Sequence, residues 1–168
     1  MALTIHDASV TVFLHNLNQL AHLLRKGEAW AAEQGVEPTT LIEARLAPDM
    51  RPLAFQVQAA SDAAKLAVGR LTALPTPRYE DDESTFEQLQ ARIANTRSFL
   101  AGVPREAFAG AEERAVEMKA GGTELHFSGQ SYLLHFALPN FFFHVTTAYD
   151  ILRHAGVPVG KKDYLGRA

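Results

Sequence analysis

The sequence predicts an all-α fold, an up-down four-helix bundle with a small β-hairpin inserted before the last helix. Three observations lead there. Four stretches carry apolar residues at helical spacing, each bounded by residues that start or stop helices. One stretch, between Pro104 and Gly129, changes to alternation of apolar and polar residues. At 168 residues the chain is most simply one domain, 1–168, long enough to bury a core without staples.

From Ile5 to about Gln34, the residues Val10, Phe13, Leu14, Leu17, Leu20, Ala21 and Leu24 form one apolar arc. Asp7 or Thr4 can cap its start, and Gly35 stands where helices stop. His15, Asn18 and His22 share the opposite side; with no third ligand in the pattern, they read as surface residues. Glu37 to Asp49 is a connection in which Pro38-Thr39-Thr40 can begin a short helical turn.

A second helix runs from roughly Met50 to Leu74. Pro52 lies in its first turn, where no N–H is needed, and Leu53, Val57, Ala60, Ala64, Val68 and Leu71 form the inward arc. Gln56 lies at the edge of that arc. Leu74 to Asp82 is a loop, and the run Glu80-Asp81-Asp82-Glu83 supplies negative charge to the N-terminus of a third helix. Ser84-Thr85-Phe86-Glu87 reads as its capping box, and Phe86, Leu89, Ile93, Thr96 and Leu100 as its seam, closed by Gly102 and Pro104.

After a turn around Glu106–Phe108, Val116-Glu-Met-Lys119 and Glu124-Leu-His-Phe127 alternate in polarity around Ala120-Gly-Gly-Thr123, the pattern of a hairpin. Ser128 or Ser131 can start a helical turn through Tyr132, Leu133 and Phe136. Pro139 then either kinks that segment or begins the last helix afresh, which Gly156 ends. On this last helix Asn140, His144, Ala148, Ile151 and Ala155 share one side, so an amide and an imidazole point where an apolar core belongs. Phe142, Phe143 and Tyr149 face the other way. An apolar outer face needs cover, either from the segment around Tyr164-Leu165 or from a second subunit. A two-fold contact is the commonest route, so a homodimer is expected.

Composition narrows the function classes. Hydrophobic residues make up 47% and charged residues 21%, with a net charge of −3 and a pI near 6.1. No block of Lys or Arg stands out, which argues against nucleic-acid and anionic-membrane partners. No window approaches the ~18 apolar residues of a membrane span, and the N-terminus lacks a signal-peptide pattern, so a cytoplasmic location is expected. With no cysteine, disulfides, thiolate metal sites, iron–sulfur clusters and a cysteine nucleophile are excluded. Gly156-x-x-x-Gly160-Lys161-Lys162 has the outline of a P-loop but is one residue short, lacks the Ser or Thr, and follows a helix.

The last helix also carries a resemblance. His144, Leu152-Arg153 and Gly156 have the spacings of DinB/YfiT-like proteins, four-helix bundles whose final helix bears His-x-x-x-His. Pro139-Asn-Phe-Phe-Phe-His144 and Gly160-Lys-Lys-Asp-Tyr-Leu, together with Asp49-Met-Arg-Pro-Leu and Asp62-Ala-Ala-Lys65, resemble a bacterial branch catalogued as a domain of unknown function. The superfamily resemblance implies a divalent metal, often zinc or nickel, on three histidines, and in several members thiol-dependent transferase or isomerase chemistry. By this alignment Asn140 stands at the first histidine of the last helix, and Gln56 at the ligand position of helix two.

Neutral amide oxygens are poor ligands for zinc or nickel, and two amides with one imidazole bring no negative charge. Gln56, Asn140 and His144 can instead satisfy one another as a buried polar network. A third possibility is a small-molecule pocket at the bundle mouth. An altered metal site could be completed by His126, His135 or a carboxylate. The balance of ligand chemistry favours no tightly bound metal. The expected function is therefore that of a small-ligand-binding or structural homodimer with a degenerate metal site. The alternative is a metal-dependent enzyme, similar to the thiol-dependent transferases or isomerases, centred on His144. No catalytic residue can be assigned from the sequence.

Overall fold

The structure, a computed structural model, describes residues 3–166. Four long helices build it: α1 (Val12–Gln34), α3 (Leu53–Thr72), α4 (Phe86–Ala101) and α6 (Leu138–His154). Between them lie a short α2 (Pro38–Ile42), a hairpin of β1 (Ala115–Ala120) and β2 (Thr123–Ser128), and α5 (Gly129–Tyr132). A last short helix, α7, spans Lys161–Leu165. Among the described residues, no helix is long and apolar enough to cross a membrane.

The predicted arcs are the core. Phe13, Leu17, Leu20 and Leu24 of α1 pack against Leu53, Val57, Ala60, Ala64, Val68 and Leu71 of α3, all fully buried with the α4 seam and Val145, Ala148 and Leu152 of α6. α3 packs against both α4 and α6, and α1 closes the bundle by packing on α4 and α6. Gly27 lets α1 approach closely, since a Cβ there would lie 2.9 Å from Leu152 Cδ2.

Element ends follow local chemistry. Thr4 Oγ1 accepts from the Asp7 N–H at 3.1 Å and donates to its carboxylate at 2.7 Å, opening a π-helical turn (Asp7–Thr11) that leads into α1. Gly35 ends α1 at φ 66°. The hairpin turns on Gly121 and Gly122, at φ 56° and 82°, the left-handed pair that a two-residue turn requires. The α4 cap lies one residue later than the sequence pattern suggested: Thr85, not Ser84, is the N-cap, and Gln88 Oε1 accepts from the Ser84 and Thr85 N–H groups. Both spacings fit a capping box, and it is Gln88 Oε1 that reaches both donors.

Pro139 neither breaks nor restarts the final helix. α5 continues through a π-helical turn (Leu133–Ala137) into α6, and Ala137 remains helical at φ −65° and ψ −50°. A wider turn relieves the clash between a proline ring and the preceding turn, so the segment Gly129–His154 winds without interruption. The outer side of α6 is covered in part by the chain itself. Tyr164 of α7 meets Tyr149 edge-on at 5.8 Å and shares a hydrogen bond with Thr146 at 2.9 Å. Phe142 packs edge-on against Phe141 at 5.5 Å, leaving Phe143 57% exposed.

Candidate functional site

The antiparallel pairing of α3 with α6 decides which candidate residues meet. Gln56 and His144, 88 residues apart, face each other: His144 Nδ1 donates to Gln56 Oε1 at 2.8 Å. The Gln56 amide is oriented in turn, since Nε2 donates to the Arg51 carbonyl at 3.0 Å. Gln56 is 2% exposed, whereas His144 is half-buried between the rings of Phe55 (6.0 Å) and Phe143 (5.2 Å). Burial holds the imidazole below its ordinary pKa of 6.5, so it is neutral at pH 7. Nδ1 therefore carries the proton. Nε2 has no protein partner among the described residues and is not among the buried orphaned atoms, which leaves its lone pair open to solvent.

Asn140 does not join this pair. No hydrogen bond links it to Gln56 or His144 among the described residues, and it lines a groove of about 380 Å³ between α3 and α6. Phe55 connects the two features, touching the His144 ring and lining the groove. Ala59, Ala63 and Leu66 of α3 and Phe136 and Ala137 make the groove apolar, Met118 of the hairpin closes one side, and Arg51 and Arg70 border it. The three-residue polar network is thus a pair plus a separate groove residue.

The donor set does not fit a divalent transition metal. The Gln56 oxygen is turned towards the His144 N–H, Asn140 is directed elsewhere, and one imidazole lone pair remains. The additional ligands considered from the sequence lie outside the pair. His126 is 3.6 Å from Glu117 on the hairpin, and His135 is 3.5 Å from Ser131. Among the described residues no group of three His, Cys, Asp or Glu side chains is placed to hold a metal.

Beside the groove lies a charge cluster that the sequence reading missed. Arg92, its side chain 1% exposed, donates to Asp62 (2.7 Å), Asp81 (2.6 Å), Glu83 (2.9 Å) and the Gln58 carbonyl (3.3 Å). Lys65, also buried, pairs with Asp62 at 2.9 Å and lies 3.9 Å over the Tyr79 ring. The acidic run is therefore not simply solvated helix-terminal charge. Asp81 and Glu83 turn inward and fasten the loop before α4 to α3 and α4. Burial alone would push the Glu83 carboxyl up, but hydrogen bonds from Arg92 and Gln58 outweigh it and hold the group below its ordinary range. A signal was present: Arg92 occupies the apolar seam of its helix, next to Ile93 and three residues after Leu89, and a buried arginine requires acids.

His15 and His22 lie at the surface and there serve to dock a neighbouring segment. His22 Nε2 and Lys26 Nζ each lie 3.0 Å from Asp163, and His15 Nε2 reaches the Leu165 carbonyl at 3.1 Å, so together they dock α7. These contacts and a backbone N–H from Gly160 hold the Asp163 carboxyl far below the usual carboxylate range. Lys161, Lys162, His135, His154 and Asp150 are exposed.

The comparisons agree with this architecture. The DUF1993 family, described as a domain of unknown function, matches residues 5–165. The crystal structure of a DinB family member protein from Shewanella denitrificans superposes with a TM-score of 0.89 at 39% sequence identity, covering 98% of this chain and 93% of that one. No curated protein matches the chain. The chain belongs to the DUF1993 family, a DinB-like domain of unknown function.

Proposed function

We propose that this protein is a single-domain, homodimeric, small-ligand-binding member of the DinB-like bundles, in which the ancestral metal position has become a polar site. One observation carries the reading: the oxygen at the helix-two ligand position accepts from His144 Nδ1 at 2.8 Å. A glutamine so committed, with its other end tied to the Arg51 carbonyl, has both ends of its amide engaged within the protein. Asn140 is left in the neighbouring groove, whose size lies at the lower end of the range for small-molecule sites. Phe55, which lines the groove and meets the His144 ring at 6.0 Å, links the pair to it.

The test is elemental analysis of protein purified without a histidine tag. Substoichiometric zinc, nickel and iron are expected, with no change in metal content on His144→Ala. Stoichiometric metal that is lost in this variant would overturn the reading. For the dimer, the partly uncovered outer face of α6 supplies the motive, with Phe143 and Leu134 the exposed apolar residues. Light scattering at working concentration should return the dimer mass, and a monomer mass removes the claim.

A second reading, an enzyme centred on His144, is favoured by one feature. A neutral imidazole with a fixed tautomer and an open Nε2 is equipped to act as a general base. Under this reading Gln56 orients the ring and Asn140 orients substrate.

A further inference from the structure

We infer that the α3–α6 groove binds a small organic carboxylate, with the acid group on Arg70 and an apolar body lying along the floor towards Asn140. This rests on the reading of the groove as a ligand site.

The cations around the groove divide into two kinds. Lys65 and Arg92 are paired with carboxylates, Lys65 with Asp62 and Arg92 with Asp62, Asp81 and Glu83. Arg51 is exposed and lies 4.6 Å over the Phe55 ring. Arg70 is different. It is half-buried in the groove wall, its Nη1 donates to the Tyr132 hydroxyl at 2.9 Å, and no carboxylate pairs with it among the described residues. A phenol is a neutral partner, so the half-buried cation has no countercharge in the protein, and an anion in the groove supplies one. The two carboxylates in the lining, Asp62 and Asp81, are turned to Lys65 and Arg92 and do not neutralise it.

The guanidinium is also held in place. Tyr132 is 1% exposed and stacks with Phe136 at 5.9 Å, so its hydroxyl is a fixed anchor for Arg70. A planar fork with an immobilised stem matches a carboxylate and loses little entropy on binding it. From there the floor passes Leu66 and Ala63 under Phe136 and Met118, an apolar surface. Arg70 meets Tyr132, and Gln56 meets His144, so the antiparallel register puts Asn140 near the level of Ser61. About nine residues of helix separate that level from Arg70, about 14 Å along the axis. An acid group, a medium-length apolar chain and a hydrogen-bonding far end match these three features in order.

The test titrates the full-length protein with octanoate and with octanamide, followed by NMR chemical shifts and calorimetry. Octanoate should bind at least tenfold more tightly than the amide, a preference lost in Arg70→Gln, and binding of both should be lost in Ala63→Leu, which fills the floor without touching Arg70. Equal affinity for acid and amide in the wild type overturns the carboxylate inference while leaving a ligand site. Preference for the acid that persists in Arg70→Gln also overturns it. Binding of neither probe to the wild type, or binding unaffected by Ala63→Leu, overturns the groove reading as well. The wild-type comparison decides even if a variant fails to fold.

Discussion

Replacing Arg92 with methionine removes one cation from among three carboxylates while keeping most of the side-chain volume. The carboxylates are left in unequal positions. Asp81 is 54% exposed and can turn to water, and Asp62 keeps Lys65 at 2.9 Å. Glu83 is 12% exposed and keeps the Gln58 amide at 3.0 Å and its own backbone N–H, with no cation. Breaking a buried pair by removing one partner costs about 3–5 kcal/mol. With two of the three acids able to relax, the expected loss is at the lower end, about 3 kcal/mol, and most of it belongs to Glu83. Urea denaturation followed by circular dichroism measures it. Adding Glu83→Gln to the variant should restore roughly half, because the penalty is an uncompensated charge rather than a cavity. The sign of the pH dependence follows. In the wild type Glu83 titrates below its ordinary 4.5, so its contribution is present above that value and lost as pH falls through the folded one. In Arg92→Met the folded carboxyl titrates above its ordinary value, so the variant loses stability as pH rises through it, and the gap to wild type narrows towards pH ~4. A loss below about 1 kcal/mol, or no rescue by Glu83→Gln, refutes the argument that the cluster is held by charge.

Three further outcomes are expected. Nitrogen-15 NMR of His144 at pH 7 should show the neutral ring protonated at Nδ1 and a pKa below 6.5, while Gln56→Leu, which strands that N–H, should cost about 1–3 kcal/mol in a chemical melt. Gly129→Ala drives a Cβ into the Ala111 carbonyl and should destabilise by roughly 1–3 kcal/mol or prevent folding; a wild-type melting curve would show that the backbone yields there. Asp163→Asn should release α7, seen as faster amide exchange over residues 161–166. Because the Asp163 carboxyl titrates below its ordinary 3.8, the wild-type segment should stay docked above that value and loosen as pH falls through the folded one. Unchanged exchange in the variant would mean that Tyr164 and His15 suffice to hold the helix.

The sequence determined by itself what local rules control. Helical arcs, caps, the Gly121-Gly122 turn and the burial of the α3 arc are written in spacing and residue type, so the bundle and its hairpin were legible. One local choice was degenerate and went the other way, the cap at Thr85, where adjacent residues both suit a capping box; at Pro139, where the sequence left a kink or a fresh start open, a π-helical turn carries the helix through. The candidate site was legible as positions, and only the tertiary structure decided its contacts. Which residue of α3 meets which residue of α6 depends on the axial register of two helices 88 residues apart at the Gln56–His144 contact, and periodicity carries no register between helices. The same holds for Arg92. Its place in an apolar seam was visible, but whether its charge is answered by Asp62, Asp81 and Glu83 is settled by how a loop folds back over α3.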